Sequence, residues 1–134
     1  MKHLDITQKF SATPEAKGYL DYLINNQVFK RAIDAYAFAA AYAIKQNAEI
    51  PQTLAGRSNS LAEVFRLEED VRLALEAGVY VTRKRNNQPE PQSSAEVFEL
   101  VTKYAEIGLK ILKQKWDGKT RAQIQNDIRK IISG

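Results

Sequence analysis

The chain has 134 residues, of which 44% are hydrophobic and 27% are charged. This length and composition are typical of one folded domain, so we expect a single domain over residues 1–134. The absence of cysteine excludes a disulfide framework, and the single histidine, His3, excludes a Cys–His catalytic pair and a His-rich metal cluster. The first ten residues are mixed and polar, unlike a signal peptide, so we expect a cytoplasmic protein.

The first helix is predicted to follow a loosely ordered N-terminus. Residues 1–12 have no clear periodicity, and we expect them to be extended or disordered. Thr13 is a suitable N-cap, and Pro14 suits the first helical turn because its missing N–H has no partner there in any case. The apolar spacing that follows predicts a helix to about Asn25.

The second predicted helix, from about Val28 to Lys45, contains the most apolar stretch of the chain. Ala35 to Ile44 has no polar break. Ten residues are too few to span a bilayer, and we expect no membrane contact. A helix that is apolar on all sides must be covered by protein, so we predict a buried central helix with Ala37, Ala40 and Ala41 in the core.

The third predicted helix begins at a capping box. Ser60 and Glu63 have the required spacing, and the helix is predicted to continue to Ala77 and to end at Gly78. Residues 79–82 have strand character but no obvious partner. Residues 83–92 contain two prolines and no other apolar residue, which predicts an exposed loop. The earlier segment 47–59, with Pro51 and Gly56, is predicted to be a loop as well.

Two further helices complete the predicted fold. Ser93 and Glu96 form a second capping box, and an apolar stripe continues to about Trp116 with Gly108 near its middle. Such a glycine indicates close packing, for which the small residues of the second helix are the natural partner. A third capping box precedes a short helix with an isoleucine stripe. The predicted fold class is all-α: a compact single-domain bundle of about five helices around the buried Ala-rich helix.

The sequence has no convincing signal of catalysis. It has no Gly-rich phosphate loop and no metal-ligand cluster, so we expect no cofactor. The carboxylates at 68–70 are consecutive and would point in different directions on a helix. Glu99–Lys103 and Glu106–Lys110 have the spacing of helix-stabilising ion pairs, which indicates a structural role. We therefore expect a protein that is not an enzyme, and a small enzyme is the last-ranked alternative.

Positive charge is concentrated in the last quarter of the chain. The net charge is +2 over residues 1–45, −3 over 46–100 and +5 over 101–134. A surplus of this kind suits a polyanionic partner, although it also occurs on ordinary solvated helical surfaces. The candidate nucleic-acid-binding residues are Arg83, Lys84 and Arg85 of the predicted loop, joined by Arg129 and Lys130 of the last helix. Contacts of this type would be made to the phosphate backbone.

Two segments resemble a known family. They are residues 29–41 (Phe-Lys-Arg-Ala-Ile-Asp-Ala-Tyr-Ala-Phe-Ala-Ala-Ala) and residues 96–112, with the elements Tyr104-Ala105 and Gly108-Leu109. The pattern is similar to that of small proteins associated with bacterial DNA phosphorothioation (dnd) systems, which place sulfur in the DNA backbone and are often linked to restriction. The resemblance covers about half the chain, mostly at core positions, and assigns no catalytic residue.

The resemblance implies a non-enzymatic accessory protein of a bacterial DNA-modification or defence system, which binds DNA or a DNA-bound partner protein. The alternative is a helical protein–protein interaction module, or a homodimer, unrelated to DNA. The residues themselves do not decide between the two.

Overall fold

The computed structural model describes residues 1–54 and 56–134. In these ranges the chain forms five α-helices, one short 3-10 turn and a two-stranded antiparallel sheet. In chain order the elements are β1 (Lys9–Ala12), α1 (Pro14–Asn25), α2 (Ala32–Lys45), β2 (Asn59–Glu63), the 3-10 turn (Val64–Arg66), α3 (Glu69–Arg85), α4 (Ser94–Lys115) and α5 (Arg121–Ser133). The protein is therefore mostly helical, and the predicted all-α class is corrected by the small sheet.

The sheet occupies the place where the sequence predicted a helix start. Ser60 and Glu63 lie in β2, which pairs antiparallel with β1, with Ser11 opposite Ser60. The backbone N–H of Val64 continues the pairing by donating to the Gln8 carbonyl at 2.8 Å. The capping-box prediction at Ser60 is wrong because the neighbouring strand supplies hydrogen-bond partners that a local pattern does not reveal. The predicted loop 47–59 includes Ala55, which lies outside the described residues.

Helix α3 begins later and ends later than predicted. It runs through Gly78 to Arg85, so Gly78 does not end a helix and residues 79–82 are not a strand. A Cβ atom at Gly78 would lie 3.0 Å from Cγ2 of Ile44, so the glycine permits close contact between α3 and α2. Residues 83–85 form the last turn of α3, which corrects the predicted start of the exposed loop. Within that loop, Pro91 is buried.

Helices α1 and α2 match the prediction in most respects. Thr13 caps α1 by accepting a hydrogen bond from the Ala16 N–H at 3.1 Å, and α1 ends at Asn25 as predicted. Helix α2 begins at Ala32, because residues 28–31 are not helical. Most of its apolar run is buried, but Ala41 is exposed, so the prediction that Ala41 lies in the core is wrong.

Among the described elements, α2 and α4 make the most extensive contact. A Cβ atom at Gly108 would lie 2.0 Å from the carbonyl oxygen of Ala39, which leaves no room for any side chain. The predicted packing of Gly108 against the Ala-rich helix is confirmed.

The N-terminal segment is attached to the core. Leu4 and Phe10 are buried, and the Phe10 ring stacks on Phe98 of α4 with ring centroids 5.0 Å apart. The Glu76 carboxylate of α3, itself 3% exposed, accepts hydrogen bonds from the Leu4 N–H at 2.6 Å and pairs with Nδ1 of His3 at 2.8 Å. For residues 1–12 the structure thus agrees with the extended alternative, which includes β1, and not with the disordered one.

Three helices end in the same way. The residue after each C-cap has a positive φ: Gln27 at 59° after α1, Asn47 at 51° after α2 and Asn87 at 55° after α3. In each case its N–H, and that of the next residue, donate to carbonyls of the last helical turn. This arrangement satisfies carbonyl groups that the helix leaves unpaired.

The last two helices begin with side-chain caps. Thr120 and Gln123 form the predicted capping box of α5, with both reciprocal hydrogen bonds present. Ser93 accepts from the Glu96 N–H, but the Glu96 carboxylate accepts from Gln92 instead, so only half of the second capping box forms. In the described ranges, none of the helices combines the length and hydropathy that crossing a bilayer requires.

Candidate nucleic-acid interface

A pair of asparagine side chains joins the C-terminal ends of α2 and α3. The Asn47 amide nitrogen donates to Oδ1 of Asn86 at 3.3 Å, and the Asn86 amide nitrogen donates to Oδ1 of Asn47 at 3.1 Å. Asn86 is the C-cap residue of α3, and Asn47 follows the C-cap residue of α2. The reciprocal pair therefore holds the end of α3 beside the end of α2.

Helix α5 ends at the same place because it runs alongside α2 in the same direction. At its start, Arg121 donates to the Gln27 carbonyl at 3.2 Å, just before α2. At its end, Nζ of Lys45 donates to the Ile131 carbonyl at 3.0 Å. The last turn of α5 thus lies against the last residue of α2.

We call the surface formed here the basic end. It comprises six cations: Lys45, Arg83, Lys84, Arg85, Arg129 and Lys130. Five of them are exposed and Arg83 is half-buried. Across residues 1–54 and 56–134, none of the six forms an ion pair. In the segments that build this end (45–49, 83–88 and 128–133) the sequence has one acidic residue, Glu49.

The structure places the two predicted groups of cations at helix ends that each lie beside the end of α2. Arg83, Lys84 and Arg85 form the last turn of α3, and Arg129 and Lys130 are exposed near the end of α5. Lys45 was not among the predicted site residues. Its position as the last residue of a helix resembles that of the α3 cations, but its proximity to α5 is a tertiary property.

Helix dipoles account for part of this charge. Cations are favoured at helix C-termini, where each helix carries roughly −0.5 charge. Three such ends amount to about −1.5, which the six cations exceed. The surplus remains available to an external anion.

Arg83 differs from the other members of the basic end. Burial raises the pKa of the Tyr104 phenol on α4, and the charge of nearby Arg83 acts in the opposite direction. Arg83 is half-buried, whereas Lys84 and Arg85 are exposed to solvent. We expect Lys84 and Arg85 to contribute more to anion binding than Arg83.

Glu106, Thr13 and Tyr36 form a polar cluster that sequence reasoning missed. Glu106, on α4, is 7% exposed and accepts hydrogen bonds from the Thr13 hydroxyl at 2.7 Å, the Thr13 N–H at 3.2 Å and the Tyr36 hydroxyl at 2.8 Å. Burial, and then the Glu106 carboxylate, raises the pKa of Tyr36 far above its usual value. The cluster joins α1, α2 and α4 and leaves each oxygen of the carboxylate hydrogen-bonded.

The two predicted ion pairs on α4 are wrong. Glu106 is occupied by Thr13 and Tyr36, and Glu99 pairs with Arg57 at 2.8 Å. Lys103 donates to the carbonyl of Gln52. One sequence feature could have predicted that Glu106 is buried. It lies beside Ala105 and near Gly108, on the face of α4 that packs against α2.

The consecutive acidic residues lie at the start of α3, at the opposite end of that helix from the basic end. Residues 68–70 are all exposed. In the part of the chain that the structure describes, no group of three or more His, Cys, Asp or Glu residues could hold a metal ion. Comparisons with protein-family models, with curated proteins and with solved structures found no match.

Proposed function

We propose that this protein is a non-enzymatic accessory component of a bacterial DNA-modification or defence system linked to DNA phosphorothioation, and that it binds nucleic-acid phosphates through the basic end. The observation that carries the binding proposal is the convergence of six cations, without ion-pair partners in the described ranges, at the joined ends of three helices. The resemblance of residues 29–41 and 96–112 to the phosphorothioation-associated family supports the choice of system.

The expected mode of binding is contact with the phosphate backbone. Such binding releases counterions, so affinity falls steeply with salt and varies little with base sequence. Each phosphate contact contributes about 0.9 to the logarithmic salt slope on duplex DNA. The basic end carries long, flexible lysine and arginine side chains, which suit contact with phosphate groups.

The test is binding of fluorescent duplex DNA from low to moderate salt, compared among three triple variants. Replacing Lys45, Arg129 and Lys130 with alanine, or Arg83, Lys84 and Arg85 with alanine, should weaken binding and lower the salt slope by up to about 2.7. The matched control replaces Lys110, Lys113 and Lys119, which are exposed and lie outside the segments of the basic end. It removes the same charge and should change the slope much less.

Two results would reject the proposal of DNA contact through this surface. If wild-type protein does not bind duplex DNA at low salt, direct contact is excluded. If the control variant loses as much affinity as the basic-end variants, net charge rather than this surface is responsible.

The assignment to a DNA-modification system has a separate test. Genes for sulfur transfer or restriction next to the gene for this protein would support it. Their absence, together with a failure to bind DNA, would favour the alternative, a helical interaction module or homodimer unrelated to DNA.

A further inference from the structure

Helix α3 presents an apolar stripe to solvent. Its inner face is buried through Leu75, Val79 and Thr82. On the opposite face, Leu73 is 44% exposed and Val81 is 55% exposed. Ala74 and Ala77, which are also exposed, lie between them. Two large apolar side chains separated by small ones form a surface on which another helix could approach closely.

Charged residues of opposite sign lie at the two ends of this stripe. Glu69 and Asp70, the acidic turn, begin α3, and Lys84 and Arg85 end it. All four are exposed. The acidic turn and the last turn each complement the helix dipole, which accounts for their signs but not for the apolar surface between them.

The arrangement is symmetrical about Ala77. Leu73 and Val81 lie four residues to either side of it, and the acidic turn and the pair Lys84–Arg85 lie seven and eight residues to either side. A two-fold axis at Ala77 therefore places the acidic turn of one copy against Lys84 and Arg85 of the other, at both ends of the contact. The same axis packs the apolar stripes together with the small Ala77 side chains at the centre.

We propose that α3 is the contact surface of a homodimer in which the α3 helices of two copies pack antiparallel about Ala77. A two-fold interface must be complementary to itself, and this face satisfies that condition in both charge and shape. A foreign acidic helix would pair with Lys84 and Arg85 but would oppose the acidic turn. The proposal goes beyond the proposed function and does not depend on it.

The contact is small, so the dimer is concentration-dependent. Helix α3 has 17 residues and is about 25 Å long. One helix pair of this length buries less surface than a standard interface. We therefore expect a monomer–dimer equilibrium, measurable by sedimentation, between 15.2 kDa and twice that mass.

The test is a charge exchange in nucleic-acid-free protein. One variant carries Glu69→Lys and Asp70→Lys, and the other carries Lys84→Glu and Arg85→Glu. Each alone places like charges in contact and should remain monomeric at concentrations where wild-type protein dimerises. An equimolar mixture restores opposite charges at both ends of the contact and should dimerise again.

A second pair of variants tests the apolar stripe. Ala77→Arg places two cations at the centre of the contact and should abolish dimerisation, while the exposed residue should leave the helical circular dichroism unchanged. Ala122→Arg, at an exposed alanine of α5, is the matched control and should dimerise like wild type.

Three results would overturn the proposal. The first is a wild-type protein that stays monomeric at every concentration, the second is a mixture of the charge variants that fails to associate, and the third is an Ala77→Arg variant that still dimerises. Because no DNA is present, these outcomes test only the contact between copies. In the dimer Lys84 and Arg85 face the acidic turn of the other copy, so DNA binding is compared at concentrations where the protein is monomeric. A failure of DNA binding leaves this proposal intact.

Discussion

Gly108 has the strictest steric requirement of the six glycines. The carbonyl oxygen of Ala39 occupies the space where a Cβ atom would lie, at 2.0 Å. A backbone atom cannot move aside as the end of a flexible side chain can. The helices α2 and α4 must therefore separate to accept even a methyl group.

We expect Gly108→Ala to lower the free energy of unfolding by roughly 1–3 kcal/mol, in spite of the higher helix propensity of alanine. Urea denaturation followed by circular dichroism measures the change. Gly18→Ala is the matched control, because Gly18 lies in α1 with no atom within 4 Å of the added Cβ. The control should gain about 0.5–1 kcal/mol. Equal stability of Gly108→Ala and wild type would contradict the close contact.

At the scale of the element, α3 holds the N-terminal segment of the chain through a single side chain, that of Glu76. Glu76 is buried on its inner face, and it accepts from the Leu4 N–H and pairs with His3. The N-terminal segment in turn leads into β1. The carboxylate is thus the link between α3 and the start of the chain.

Glu76→Ala should release this segment, because the Leu4 N–H then has no acceptor and a buried cavity remains. We expect a loss of about 1–3 kcal/mol in stability. Hydrogen exchange at the Leu4 amide should become much faster, and this readout separates a released segment from global unfolding. Glu90→Ala, in an exposed loop, serves as control. Unchanged exchange at Leu4 would show that the carboxylate does not hold the segment.

At the scale of the whole molecule, three buried tyrosines in three helices link folding to alkaline pH. Burial raises the pKa of Tyr19 in α1 to about 12, and burial also raises those of Tyr36 in α2 and Tyr104 in α4. The unfolded chain loses these protons near pH 10, whereas the folded chain keeps them. The stability they contribute is therefore complete below pH 10 and is lost as the pH rises above it.

We predict that the free energy of unfolding falls above pH 10 by up to about 1.4 kcal/mol per pH unit for each such tyrosine, until the folded form also loses the proton, near pH 12 for Tyr19. Tyr36→Phe should be less stable at neutral pH, since Glu106 loses a hydrogen-bond donor, but its stability should fall less steeply in alkali. The measurement is urea denaturation at several pH values, with tyrosinate absorbance recorded in parallel. A variant with the wild-type slope would show that Tyr36 does not keep its proton in the folded state.

How much of the fold could be predicted depends largely on how far apart in the chain the interacting residues lie. The ends of α1 and the start of α5 were predicted, because capping acts over a few residues. The packing of Gly108 against α2 is a long-range contact, but it was predicted because a glycine in one helix and a run of alanines in another both permit close approach. The start of α3 was not predicted, because β2 depends on pairing with β1, about fifty residues earlier in the chain.

The same difference between local properties and long-range contacts applies to the candidate site. The sequence identified the cations at 83–85 and at 129–130, since charge is a property of the residue. It did not reveal that α2 joins them, because the Asn47–Asn86 and Lys45–Ile131 contacts are made between distant parts of the chain. Glu106 was assigned to a surface pair for a related reason: its true partners, Thr13 and Tyr36, lie in other helices.

The backbone conformation at Gln27, Asn47 and Asn87 indicates that the chain does not have the highest stability its fold allows. At each, an L-residue adopts the left-handed conformation that glycine adopts without steric cost. Asparagine tolerates this conformation better than most residues, but glutamine has no such advantage. Selection has therefore left stabilising substitutions unused, and position 27, in the exposed turn after α1, is the first place to begin engineering a more thermostable form of the protein.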